Sequence, residues 1–86
     1  GKVALVCGGA RGIGEAVAVK FASLGASLSI AGLPGDPVPE LVEKLEAEGA
    51  VADSFIGDVS VEAQAEACIV QTIERFGRID VLVNLW

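Results

Sequence analysis

Methionine, histidine and tyrosine are absent from these 86 residues, cysteine occurs twice, and lysine and arginine together number six. With no histidine and only Cys7 and Cys68, the roughly four ligands of a zinc site cannot be assembled, so no metal site is expected. Twelve carboxylates against six scattered cations leave a net charge of −6. Nucleic acid and anionic lipid both require a basic footprint, so neither is expected as a partner. Long apolar runs are missing too. Gly, Ser, Lys or Asp interrupts each one before the roughly 18–20 residues that a membrane-spanning helix needs. No basic segment leads into an apolar stretch and cleavage site, so no signal peptide is expected either. Cys7 and Cys68 both sit within apolar patterns, which fits small core residues in a reducing, cytoplasmic setting. The chain opens on Gly1, lacks methionine and stops in a strand pattern at Trp86. We therefore expect a portion of something longer.

What is present is apolar for so short a chain: 52% hydrophobic residues and a mean hydropathy of +0.61. A parallel sheet covered on both faces has that character, because its strands read as near-continuous apolar runs. Lys2 to Cys7 is such a run. From Gly12 to Leu24 the period changes, and Ile13, Val17, Phe21 and Leu24 recur at helical spacing, stopped by Gly25. Ser27 to Ala31 predicts a second strand. Asp36 is placed to cap the next helix, with Pro37 at its first position, Glu40 and Lys44 as an i,i+4 pair, and Gly49 at its end. Val51 to Ile56 predicts a third strand. Ser60 is placed to cap a third helix with the stripe Cys68, Ile69, Thr72, Ile73 and Phe76, closed by Gly77. Asp80 to Leu85 predicts a fourth strand.

Strands alternating with helices predict a parallel α/β sheet. Right-handed crossovers after a glycine-rich first turn favour four strands in the order 3-2-1-4 with three helices, a partial doubly wound fold. The carboxyl ends of the strands then share one edge, where such folds bind ligands.

The chemistry-bearing segment is Gly8-Gly9-Ala10-Arg11-Gly12-Ile13-Gly14, which leaves a strand and opens a helix. In that context each glycine has a use. Gly8 turns the chain off the strand, Gly12 removes the Cβ that would hold a pyrophosphate away from the backbone, and Gly14 lets the helix approach the sheet. Free N–H groups and the helix dipole then favour an anion. The alternative, a glycine-rich turn without a ligand, is weakened by the strand-and-helix pattern around it.

Cys7 to Gly14 resembles the T-G-x-x-x-G-I-G motif of the short-chain dehydrogenase/reductase family, with Cys7 in place of the threonine. Gly57-Asp58-Val59-Ser60 resembles the family's D-V segment after the third strand, and Phe76 to Asn84 resembles the approach to its N-N-A-G motif. The resemblance covers the whole chain. It implies a Rossmann-type domain of which residues 1–86 are the N-terminal half, with the catalytic half absent. It implies NAD or NADP as the dinucleotide cofactor, contacted by Gly8, Arg11, Gly12, Ile13, Gly14, Asp58 and Val59, with Asn84 chiefly a support of the sheet. It also implies a homo-oligomer in the full-length parent.

Three departures qualify that expectation. Leu85 and Trp86 replace the Asn-Ala-Gly that should follow Asn84, and a tryptophan there would crowd the cofactor's passage. An acid that ends the second strand would bind the adenosine ribose and select NAD, but Gly32 stands at that position and Leu33 adds no charge. Arg11 could instead neutralise a 2′-phosphate, which gives a slight lean to NADP. Finally, the family's serine, tyrosine and lysine for carbonyl chemistry are not found here, so no catalytic residue is assigned and these 86 residues alone are expected to be inactive. The expected parent is an oxidoreductase that transfers hydride between the nicotinamide cofactor and an alcohol/carbonyl substrate. The alternative is a truncated, non-catalytic relative that binds nucleotide weakly or acts through subunit association. A methyltransferase is disfavoured because its ribose-binding acid after the second strand is missing.

Overall fold

The computed structural model describes residues 1–8 and 10–86. Val3–Cys7 forms strand β1, in which all five residues are buried. A strand flanked by neighbours on both sides and covered on both faces has no solvent-facing position, so the run is apolar without alternation. Helix α1 spans Gly12–Ser23, strand β2 Ser27–Gly32, helix α2 Val38–Ala47, strand β3 Ala52–Ile56, helix α3 Glu62–Phe76 and strand β4 Val81–Asn84. The sheet order is β3-β2-β1-β4, as expected from the sequence. All three pairings are parallel, with Val6 beside Ile30 and Val83, and Ile30 beside Ser54.

Successive residues of a strand face opposite sides, and the core divides accordingly. Ala4, Val6, Leu28 and Ile30 join Ala18 of α1 and Val38, Leu41 and Leu45 of α2 on one face. Leu5, Cys7 and Ala31 join Cys68 of α3 on the other. Ser29 is buried on that second face, where its hydroxyl meets Thr72 of α3 at 3.0 Å. Among the described residues no helix is long and apolar enough to cross a membrane.

The structure corrects several details. Helix α1 buries the expected stripe only in part: Phe21 packs against the main core cluster, but Ile13 is 74% and Leu24 69% exposed, while Gly14 and Ala18 are buried. This helix is apolar almost all round, so periodicity cannot select its face. The smallest residues win because they allow the closest approach to the sheet. In α3, Cys68 and Thr72 are buried, but Ile69 and Ile73 are exposed. Neither expected cap forms. Pro37 is the N-cap of α2 and Val61 that of α3, each without a side-chain hydrogen bond. Asp36 and Ser60 have local partners instead, described below. Lys44 also leaves its helical neighbour Glu40 and reaches Glu15 of α1, 3.9 Å away.

Candidate functional site

Because all strands run parallel, their carboxyl ends share one edge, and backbone hydrogen bonds continue the ladder beyond it. Leu85 N–H donates to Cys7 O (3.0 Å), Gly8 N–H to Ala31 O (2.9 Å), and Gly57 N–H to Gly32 O (2.9 Å). The chain runs outward from β1 through β2 to β3, then returns to place β4 on the other side of β1. The edge beside β1 is therefore the topological switch point, where open α/β sheets form their ligand crevice.

The turn from β1 to α1 lies there. Gly8 has φ +80° and Gly12 φ +55°, values that L side chains rarely adopt. A Cβ built on Gly12 would meet nothing within 4 Å, so its outer side is open space. Arg11 is the extended N-cap of α1, and among the described residues no side chain caps that helix. Its first-turn N–H groups are thus left for solvent or for an anion, which the helix dipole favours. Gly14 is buried one turn into the helix, whereas Ile13 faces solvent. Gly9 belongs to the same motif and lies outside the described residues.

Arg11 turns toward the loop that follows β2. Its Nη2 donates to Gly35 O at 3.4 Å and lies 3.8 Å from Asp36 Oδ1. It also helps to wall a cleft of about 390 Å³ with Gly12, Glu15, Glu40 and Lys44.

Asp58 follows Gly57 at the end of β3, and its carboxylate is engaged locally. Oδ1 accepts hydrogen bonds from the Ser60 hydroxyl (2.5 Å) and from Ser60 N–H (2.9 Å). These bonds hold the Asp58 carboxyl below its ordinary range, so it is an acceptor at neutral pH. Asp58 N–H in turn donates to Gln64 Oε1. Val59 packs against the second core cluster. With Cys7, Cys68 and Asn84 it also lines a smaller cavity of about 110 Å³.

Asn84 ends β4, and its Oδ1 accepts Trp86 N–H at 3.1 Å. Trp86 itself folds back over the turn, placing Nε1 3.7 Å from where a Cβ of Gly8 would stand. Gly8, Asn84 and Trp86 are therefore brought together, and Val59 shares a cavity with Asn84. Arg11 and Ile13 lie apart from that group. Cys7 is buried, which raises its thiol pKa.

In the sequence Asp36 is the nearest acid to the end of β2 but reads first as the cap of α2; the structure instead brings it back against the strand end. A Cβ on Gly32 would fall 2.5 Å from Val38 Cγ2 and 3.2 Å from Asp36 Oδ2. Asp36 Oδ2 accepts Leu33 N–H at 2.9 Å. The available signal was an acid four residues beyond a glycine at the position where an acid was sought.

A family model described as short chain dehydrogenase matches residues 2–85. An uncharacterized oxidoreductase of Thermotoga maritima is 40% identical over 84 residues, which is 98% of this chain and 33% of that protein. A short chain dehydrogenase/reductase from Burkholderia phymatum, solved in complex with NAD, superposes with a TM-score of 0.92 at 38% identity. The match covers 95% of this chain and 29% of that one. A blue fluorescent protein from a metagenomic library, solved in complex with NADPH, superposes with a TM-score of 0.89 at 36% identity over 95% of this chain and 34% of that one. The chain spans about a third of the length of the curated relatives it matches.

Proposed function

This chain belongs to the short chain dehydrogenase family, and we propose that it supplies the adenosine and pyrophosphate part of a nicotinamide dinucleotide site. The whole protein would be an oxidoreductase acting on an alcohol/carbonyl pair. The observation that carries this reading is Gly12: positive φ, open space where a Cβ would project, and a helix N-terminus that no side chain among the described residues caps. A pyrophosphate fits that cradle because backbone N–H groups and the dipole supply local positive potential despite a net charge of −6. Gly8, Gly12, Ile13 and Gly14 would hold the pyrophosphate and Arg11 the adenosine end. Asp58 and Val59 would border the adenine, with Asn84 as the support at the switch point. The cofactor would be NAD or NADP, and when bound its nicotinamide supplies or takes up the hydride.

These residues bind and orient; none is assigned as proton donor. Tyrosine and histidine are absent, and the shifted carboxyls, Asp58 and Asp80, are both held low by hydrogen bonds. A general acid needs a pKa near the working pH.

The test is calorimetric titration of the chain and of Gly12→Val with NAD⁺ and NADP⁺, with circular dichroism as a check on folding. Loss of binding in a folded variant is expected. Equal affinity in the two proteins would remove this loop from the site.

Trp86 against Gly8 favours a second reading, in which the turn is partly covered and the chain acts by associating with another subunit. Trp86→Ala separates the two: tighter dinucleotide binding is expected if the indole obstructs the crevice.

A further inference from the structure

The end of β2 decides which dinucleotide an α/β site of this type accepts. A carboxylate there accepts the adenosine ribose hydroxyls and repels a 2′-phosphate. The strand ends on Gly32, which cannot provide one. It cannot be given a side chain cheaply either, because a Cβ would press on Val38 Cγ2 at 2.5 Å. The position is nonetheless supplied with a carboxylate. The β2–α2 loop folds back so that Asp36 Oδ2 stands 3.2 Å, and Asp36 Cβ 3.3 Å, from the place a Gly32 Cβ would take. Resting on the dinucleotide reading above, we infer that Asp36 is the residue that selects the cofactor, and that it selects NAD over NADP.

Four observations carry this. The Asp36 carboxylate is fixed rather than free, since Oδ2 accepts Leu33 N–H at 2.9 Å. It has acceptor capacity left, because a carboxylate offers about four lone-pair sites and Leu33 N–H uses one. It is open to a ligand, with the side chain 28% exposed, and it does not cap α2. Lastly, the nearby cations are already matched. Arg11 lies 3.8 Å from Asp36, and Lys44 lies 3.9 Å from Glu15. With Glu40 also on the cleft wall, two cations face three carboxylates. A 2′-phosphate would enter a region of negative balance, whereas a ribose diol would find an acceptor. This runs against the slight lean to NADP that Arg11 suggested in sequence. The ion pair with Asp36 is the reason, because it offsets the charge on which that lean depended.

The experiment is titration of the chain and of Asp36→Asn with NAD⁺ and with NADP⁺ at one fixed ionic strength, with melting curves for both proteins. The wild type is expected to bind NAD⁺ at least tenfold more tightly than NADP⁺. Asp36→Asn, which keeps the shape and removes the charge, is expected to reduce that ratio at least tenfold with little change in melting. Should Asn perturb the loop, Asp36→Glu serves as the second variant and is expected to retain the preference for NAD⁺. A wild type that prefers NADP⁺, or a ratio unchanged in Asp36→Asn, overturns the inference while leaving the dinucleotide site standing. Failure of the wild type to bind either cofactor removes both.

Discussion

Thr72 and Ser29 are 43 positions apart in the chain, yet their hydroxyls share a buried hydrogen bond of 3.0 Å between α3 and the sheet. Thr72 Oγ1 also donates to Cys68 O at 2.8 Å, so its single proton serves the helix and its lone pair can receive Ser29. This pair anchors α3 to its face of the sheet.

Thr72→Val keeps the approximate shape but leaves the Ser29 hydroxyl buried without that partner. A cost of about 1–3 kcal/mol is expected for the stranded group. Adding Ser29→Ala should recover most of it, because both ends of the bond are then gone. Urea denaturation of the two single variants and the double variant gives the coupling energy, and strict additivity would show that the bond contributes nothing.

Cys68 lies on the same helix, and burial, helped by the proximity of Cys7, pushes its thiol pKa up to about 11. Burial raises Cys7 as well. A raised pKa keeps the thiol protonated at neutral pH, and only the thiolate is a good nucleophile. Alkylation of the native chain by iodoacetamide at pH 8 should therefore run on the order of a hundredfold slower than in denaturant. Rapid labelling of either residue without denaturant would contradict the burial of this cluster.

Asp80 and Val3 exchange two hydrogen bonds: Val3 N–H donates to Asp80 Oδ2 and Asp80 N–H to Val3 O, each 2.8 Å. With Arg78 on Oδ1 at 2.6 Å, the first of these holds the Asp80 carboxyl below its ordinary value. A carboxyl depressed in the native state stabilises it fully above the unfolded pKa of about 3.9, and that share is lost as pH falls through the lower native value. Stability should thus be flat in this respect from pH 7 to about 5 and decline below 4. Asp80→Asn should melt lower at pH 7 and show a shallower decline in acid. An identical pH profile in the variant would mean that Asp80 is not responsible.

Much of this architecture is legible in the sequence, and what is not has physical causes. Apolar runs such as Val3 to Cys7 mark strands because a doubly covered strand tolerates nothing else, and glycine marks the first turn because Gly8 and Gly12 take positive φ. The facing of α1 is illegible, since Ile13, Val17, Phe21 and Leu24 form as good a stripe as the residues around the buried Gly14 and Ala18. The caps are illegible for another reason. Asp36 and Ser60 are short polar residues that bond to whatever backbone or side chain the loop offers, and here that is Leu33 and Asp58. The relation of Asp36 to Gly32 depends on how the loop folds back, which spacing alone does not encode.

The two edges of the sheet differ in a way that bears on association. On β3 the edge carries Asp53 and Ser54, and Gln71 of α3 reaches over it to Ser54 O at 2.8 Å and Asp53 Oδ2 at 3.3 Å. Polar and charged side chains of this kind discourage pairing with another chain. Among the described residues the β4 edge has no such guard. Leu82 is 58% exposed there, and Leu85, Trp86, Ile69 and Ile73 are also exposed. Contiguous apolar surface beside an unpaired strand marks a site of association. The 86-residue chain is therefore expected to self-associate at micromolar concentration, and Leu82→Lys is expected to reduce this. Leu82 is the position to change rather than its neighbour Val83, because Val83 packs against the main core cluster and a lysine there would disturb the core as well as the edge. Sedimentation velocity across a concentration series decides the matter. A wild type that sediments as one monomer at all concentrations and melts cooperatively would show that this edge is tolerated as it stands.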